Sequence, residues 1–193
     1  MDKGKIIVVA APSGCGKSTI INAIMEDGGL NLGFSVSATT RPPRPGEVDG
    51  VNYYFMSEDA FRDAIAEGGF IEYEEVFPGR FYGTLRSEVE RITSSGRNII
   101  LDLDVNGALG VKKIYGDCAM TVFIEPPSIA ELRRRLEFRG TETPEVIDVR
   151  VDRAQYELSR APEFDRRIVN DKLDTAIHQA RNLIDAFVSG GKI

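Results

Sequence analysis

Apolar residues fall along this chain in two rhythms. Ile6–Ala10, Asn98–Leu103 and Ala119–Ile124 are nearly continuous, β-rich apolar runs, with a shorter one at Arg167–Val169, and such runs predict strands covered on both faces. Between and after them come stretches whose apolar residues recur at helical spacing: Lys17–Glu26 (Ile20, Ile21, Ile24, Met25), Gly107–Ile114, Ser128–Phe138, Pro144–Ser159 (Ile147, Val151, Ala154, Leu158) and Lys172–Val188. Buried strands alternating with amphipathic helices predict an α/β fold: a parallel sheet flanked by helices.

Residues 34–95 break the rhythm. Short alternating segments at Phe34–Ala38 and Asn52–Phe55, many turn formers and a cluster of Arg and Tyr predict an inserted mixed β/α subdomain, partly antiparallel, with helices near Ser57–Ala66 and Leu85–Thr93. A second irregular stretch, Arg139–Pro144, joins two helices. The division this suggests is a core of 1–33, 96–125 and 160–193, an insertion of 34–95 and a helical region of 126–159.

Length and composition narrow the class. With 193 residues the chain predicts one domain. Hydrophobic residues at 42% and charged residues at 28% are those of a globular enzyme. The net charge of −6 argues against nucleic acid or an anionic membrane as partner. Cys15 and Cys118 lack metal-ligand spacing, and one histidine, His178, leaves little from which to build a zinc site or a Ser-His-Asp triad. No run approaches the ~20 apolar residues of a membrane span, and the N-terminus lacks a signal-peptide core, so a cytoplasmic protein is expected. The oligomeric state is left open, a homo-oligomer included.

The first candidate chemistry follows the first strand. Ala11-Pro12-Ser13-Gly14-Cys15-Gly16-Lys17-Ser18, continuing to Thr19, nearly matches G-x-x-x-x-G-K-[ST], a loop that wraps nucleotide phosphates. Gly14 and Gly16 allow backbone conformations that aim successive N–H groups inward, and the helix from Lys17 adds its positive end. Lys17 is suited to the outer phosphates and Ser18 to Mg²⁺. Ala11 departs from the pattern, a change tolerable where φ is negative. Cys15 reads as a small loop filler, a thiol acidified by the helix end being the alternative. Asp102, at the end of an apolar strand, is a second candidate for Mg²⁺ or its waters; Asp104 is more ambiguous, and both could cap the helix that follows.

The insertion carries Ser35-Val-Ser37-Ala-Thr-Thr-Arg41-Pro-Pro-Arg44-Pro-Gly-Glu47, then Tyr53, Glu72 and Tyr82-Gly83-Thr84. Two arginines three apart in a proline-stiffened loop make a poor core and a good phosphate clamp. Together with the phosphate loop, with F-I-E before Y-G-T, with L-D-x-D, with R-G-T-E-T and with I-V-N-D near the C-terminus, this segment closely resembles the guanylate kinase family over essentially the whole chain.

The resemblance implies a P-loop core, a GMP-binding insertion and a lid, and Mg²⁺-dependent transfer of the ATP γ-phosphate to GMP, and to dGMP, in purine nucleotide recycling. It implies that Arg41, Arg44, Tyr53 and Tyr82 bind the GMP phosphate, with Glu47 in the same subsite, and that Ser37, Glu72, Thr84 and Asp104 read guanine. Guanine presents N1–H and N2–H₂ donors that a carboxylate such as Glu72 accepts together, whereas adenine lacks the N1 proton and leaves it unpaired. Asn106 stands where many members have glutamine.

On the helix at Ser128–Phe138, extended to Arg139, Arg135 and Arg139 lie four residues apart on one face, with Ile129, Leu132 and Leu136 facing the core. The resemblance implies that these arginines and Arg150 reach the ATP phosphates on lid closure, and that Asn170 lies on the adenine side, an ordinary turn residue being the alternative. Arg133, Arg134 and Arg153 read as exposed charge, and His178 as a surface or packing residue. The expected chemistry is direct in-line transfer without a dedicated general base. Rival readings are a kinase for adenylate, uridylate or thymidylate, and an inactive guanylate-kinase-like module that binds a phosphorylated protein; the Ser37/Glu72/Thr84 set and the intact phosphate loop weigh against them.

Overall fold

The computed structural model describes residues 3–140 and 142–190; Thr141, within R-G-T-E-T, lies outside the described residues. In chain order the first elements are β1 (Ile6–Ala10), α1 (Lys17–Glu26), β2 (Leu32–Phe34), β3 (Ala38–Thr39), β4 (Tyr54–Phe55) and α2 (Glu58–Ala66). Next come β5 (Phe70–Phe77), β6 (Arg80–Leu85), α3 (Arg86–Ser94), β7 (Asn98–Asp102) and α4 (Val105–Tyr115). The last are β8 (Ala119–Glu125), α5 (Ile129–Arg139), α6 (Pro144–Ser159), β9 (Arg166–Val169) and α7 (Leu173–Val188).

Five strands form a parallel sheet in the order β2-β7-β1-β8-β9. Because successive strand residues face opposite sides, the continuous apolar runs feed two cores. Ile7, Val9, Ile100, Met120 and Val122 pack with α1, α5, α6 and α7 through residues such as Ile21, Leu132, Ile147 and Ile184. Ile6, Val8, Ile99, Leu101 and Phe123 pack with α3 and α4 through Val89, Ile92, Val105 and Val111. The parallel pairing aligns Val9 with Asp102, so the phosphate loop after β1 and the acidic pair at the end of β7, Asp102 and Asp104, emerge at the same carboxyl end of the sheet. Open α/β sheets bind ligands beyond the carboxyl ends of their strands.

A second sheet, in the order β4-β3-β6-β5, joins β3 to β4 in parallel and runs β3/β6 and β5/β6 antiparallel. Its register opposes Glu72 to Thr84 and Glu74 to Tyr82, which puts all four on one face of the hairpin. Gly83 opposes Tyr73 between them; a Cβ there would come within 2.8 Å of the Glu72 carbonyl oxygen and of Phe70. This sheet has its own core: Phe61 stacks on Phe70 and Phe81 with ring centroids 4.2 and 5.3 Å away, beside Ala38. Ser57 caps α2, its side chain accepting from the Ala60 N–H at 3.2 Å.

Several boundaries differ from the sequence reading. Phe34–Ala38 is two short strands in different sheets: β2 pairs with β7, and the chain crosses at residues 35–37 into β3. Only Tyr54–Phe55 of the second alternating segment is a strand. The β5–β6 hairpin is not marked in the sequence, because its apolar residues do not alternate with burial: Phe70 and Ile71 are buried side by side, while Tyr73, Val76 and Phe77 are exposed. Although α3 lies within 34–95, its Val89 and Ile92 pack in the main core. Its buried Glu88 accepts from Arg91 and from the Tyr54 hydroxyl at 3.1 Å, tying β4 to α3.

Truncating the keystone of the small sheet tests its independence as a core. Phe61→Ala is expected to lower the unfolding free energy by about 3–5 kcal/mol. Chemical denaturation measures this; a loss below about 1 kcal/mol would show that the three-phenylalanine stack carries little stability.

Candidate active site

The phosphate loop is built as the sequence requires. Gly14 and Gly16 sit at φ 94° and 83°, in the left-handed region that favours glycine, and Gly16 caps α1. Ala11 is not in that region, so its methyl group costs the loop nothing. The Lys17 ammonium donates to the Leu103 carbonyl at 3.1 Å and forms an ion pair with Asp102. Ser18 and Thr19 are exposed in the first turn of α1, and both line the main cleft.

That cleft, about 750 Å³, takes its walls from Ala11–Gly14 and Gly16–Thr19, from Asp102 and Asp104, from Arg139 and Arg150 of the helical region, and from Phe77 at the hairpin tip. Arg150 donates to the Ser13 hydroxyl at 2.5 Å and pairs with Glu142. Arg139, at the end of α5, makes no ion pair among the described residues. Arg135 is placed differently: it pairs with Glu131, donates to the Asn170 carbonyl oxygen at 2.9 Å and does not line the cleft.

Asn170 is buried against the back of the phosphate loop. Its Nδ2 donates to the Cys15 carbonyl at 2.8 Å, and a Cβ on Gly16 would lie 2.6 Å from that nitrogen. The side chain therefore braces the loop instead of lining the cleft. Cys15 is fully buried, and burial pushes its thiol up to about 12, outweighing the nearby Arg135 and Lys17 charges. It is the loop filler of the two sequence alternatives.

The insertion gathers the second set. Arg41 is buried; its guanidinium donates to Glu47 at 2.8 Å and to the Pro42 carbonyl at 2.7 Å, and lies 5.4 Å from the Tyr53 ring centroid. The Tyr53 and Tyr82 rings meet edge to face at 6.0 Å. Glu47 also accepts from the Arg44 N–H at 2.7 Å, and these two bonds, Arg41 first, hold its carboxyl below the usual carboxylate range. The Arg44 side chain is exposed and makes no ion pair among the described residues. Arg41, Arg44, Glu47, Tyr53 and Tyr82 thus form one cationic, hydroxyl-bearing corner.

Beside it, Thr84 donates to Glu72 at 2.6 Å, and Asp104 caps α4 by accepting from the Gly107 N–H at 2.7 Å. Asp104 is thus the helix cap that one of the two sequence alternatives describes, and its carboxylate also lies beside Glu72. A Cβ at Gly107 would lie 3.2 Å from Glu72 and 3.4 Å from Asp104, so the glycine leaves room for both. Burial raises the Glu72 pKa above the usual carboxylate range, partly offset by the Thr84 bond, and Asp104 raises it further. Glu72, Glu74, Asp104, Asn106 and Gly107 line a 360 Å³ hollow. Ser37, Tyr53, Thr84 and Asp102 line an adjoining recess of 150 Å³.

Arg153 is exposed and donates to the buried Glu157 at 3.0 Å, as expected of a helix-face arginine, and it also borders the main cleft, which the sequence does not indicate. Arg133 and Arg134 are surface residues as expected, pairing with Asp148 and Glu131. Glu74, not singled out before, opposes Tyr82 and has its pKa raised by burial and by Asp104. The Asn106 side chain accepts from Arg160 at 3.3 Å, and His178 is exposed. No helix among the described residues is long and apolar enough to cross a membrane.

A parallel sheet with a phosphate loop after its first strand and a second, mixed sheet inserted into it is the fold of a P-loop kinase. The family model described as guanylate kinase matches residues 3–187, and the chain belongs to that family, the nucleoside-monophosphate kinases that act on guanylate. Guanylate kinase from Bacteroides fragilis is 53% identical over 186 residues, covering 96% of this chain and 91% of that protein. Guanylate kinase from Salinibacter ruber is 50% identical over 189 residues, covering 98% and 100%. The crystal structure of guanylate kinase from Anaplasma phagocytophilum aligns with a TM-score of 0.75 at 32% identity, covering 97% of this chain and 88% of that one. A gluconokinase from Sinorhizobium meliloti, 16% identical with a TM-score of 0.50 over 98% and 97% of the chains, shares the fold.

The burial of Cys15 sets a simple check. A disulfide reagent at pH 8 is expected to modify Cys118, which is exposed, and to leave Cys15 untouched until the protein is denatured. Modification of both thiols at similar rates in folded protein would contradict the loop packing described above.

Proposed function

We propose that this protein transfers the γ-phosphoryl group of ATP directly to GMP, giving ADP and GDP, in a Mg²⁺-dependent in-line reaction in the cytoplasm, and that it accepts dGMP as well. The observation that carries this reading is that Asp104 lines both the main cleft with the phosphate loop and the hollow with Glu72, whose carboxylate accepts from Thr84. Ala11, Pro12, Ser13, Gly14, Cys15, Gly16, Lys17, Ser18 and Thr19 form the ATP subsite, with the loop's free backbone N–H groups and the helix end facing the phosphates and Pro12, which has no N–H, shaping the turn. Arg41, Arg44, Tyr53 and Tyr82 hold the GMP phosphate, with Glu47 orienting Arg41. Ser37, Glu72, Thr84 and Asp104 read the base.

The donor set suits Mg²⁺, which is bound by few protein oxygens together with substrate phosphates. Ser18 offers an exposed hydroxyl and Asp102 a carboxylate already held at the cleft by Lys17, while the described residues contain no larger cluster of metal-ligating side chains. Mg²⁺ supplies charge neutralisation on the phosphates when bound. The protein's own part is positioning and electrostatics. Lys17 exchanges Asp102 for phosphate oxygens, and Arg139 and Arg150, already at the cleft, move onto the transferring group, joined by Arg135 when closure releases it from Asn170. We assign 34–95 as the GMP-binding insertion and 126–159 as the lid, whose closure excludes water from ATP.

The test is ADP release with ATP and Mg²⁺, offering GMP, dGMP, AMP, UMP and dTMP in parallel. Turnover is expected on GMP and dGMP and at least on the order of 10²-fold less on AMP, because adenine leaves the Glu72 carboxylate without a donor. Lys17→Ala is expected to lower turnover by on the order of 10²–10³ while the protein stays folded. Equal turnover on AMP, or near-normal turnover in folded Lys17→Ala, would overturn the reading.

A further inference from the structure

The 150 Å³ recess beside the base-reading residues holds a side chain that the site described so far leaves unused. Ser35 follows β2 at the crossing from the parallel sheet into the insertion, where its N–H donates to the Ile100 carbonyl oxygen at 3.4 Å. Its side chain lines the recess together with Ser37, Asn52, Tyr53, Thr84 and Asp102. Ser35 is 4% exposed, and its hydroxyl has no hydrogen-bond partner among the described residues.

The polar neighbours of that hydroxyl are committed elsewhere. The Thr84 hydroxyl is donated to Glu72, the Asn52 carbonyl oxygen accepts from the Val48 N–H at 2.8 Å, and Asp102 is paired with Lys17. Ser37 and Tyr53 are only partly buried and reach solvent. Of the described residues lining the recess, Ser35 alone is both buried and unpartnered, an arrangement that disfavours the unliganded fold. Alanine has nearly the same volume and lacks the unpaired hydroxyl, so packing alone would be better served by it.

We infer that Ser35 is a positioning residue for the nucleoside monophosphate: its hydroxyl finds its partner in a polar atom of GMP seated in the recess. This rests on the reading of the insertion as the GMP site. The hydroxyl row Ser35, Ser37, Thr84 then runs from the core into the insertion, so that GMP binding also fixes the segment connecting them.

Ser35→Ala separates this role from a structural one. The dissociation constant of GMP by calorimetry, and its KM, are expected to rise about five- to tenfold, the loss of one hydrogen bond. The KM for ATP and kcat are expected to stay within about twofold, and the melting temperature of the unliganded protein to stay level or rise, since an unpaired buried hydroxyl is removed. Unchanged GMP affinity, or a lower melting temperature of the unliganded variant, would overturn the inference. Failure of the wild-type protein to bind GMP would instead overturn the underlying site reading, which the same titration reports separately.

Discussion

The parallel pairing of β1 with β7 is the constraint from which the site follows. It brings the loop after Ala10 beside the acidic residues after Leu101, so that the first ammonium of α1 sits between the Asp102 carboxylate and the Leu103 carbonyl oxygen. A lysine amine held there is desolvated on one side and aimed along the cleft, ready to change partners when phosphates arrive. Behind it, the Asn170 amide on the Cys15 carbonyl fixes the loop from the far side. The apolar strands thus act at a distance: their packing sets the separation at which charge can be exchanged between carboxylate and phosphate.

The insertion shows the opposite economy, in that several of its polar groups are held in states the unliganded fold does not favour. Buried Glu72 keeps its proton above the ordinary value of 4.5. Such a group supports folding below that value and loses the contribution as pH rises through its raised pKa, so its ionised form works against the fold. Glu74 is raised for the same reason, with Asp104 close by. Groups of this kind concentrate where a ligand is to supply what the protein withholds.

Much of this was legible in the sequence, and the limits have physical causes. β1 and α6 have the predicted bounds because a run buried on both faces and a long one-faced helix each give an unambiguous period. The β5–β6 hairpin escaped because exposed Tyr73, Val76 and Phe77 blur the alternation that buried Phe70, Ile71 and Phe81 would otherwise mark. The Arg41–Glu47–Tyr53 corner was readable because its residue types have few other uses in a proline-stiffened loop. The exposed, Glu-paired state of Arg153 was readable, but its place at the cleft was not, since a charged residue on an amphipathic helix looks the same whether it faces bulk water or a cleft. Asn170 and Arg135 depend on which side of the phosphate loop they meet, a distinction made only by tertiary packing.

Guanine recognition by an ionised Glu72 is the central claim, and the pH dependence of GMP binding tests it most directly. The donors of guanine favour the carboxylate, so binding should draw its raised pKa down and release a proton. The affinity of wild-type protein for GMP is therefore expected to weaken as pH falls, beginning above the ordinary carboxylate range. Glu72→Gln should bind more weakly throughout and keep only the dependence from the GMP phosphate, which titrates near roughly 6 in both proteins. Superimposable pH profiles, or a Glu72→Gln protein that binds GMP as tightly as wild type, would contradict the account.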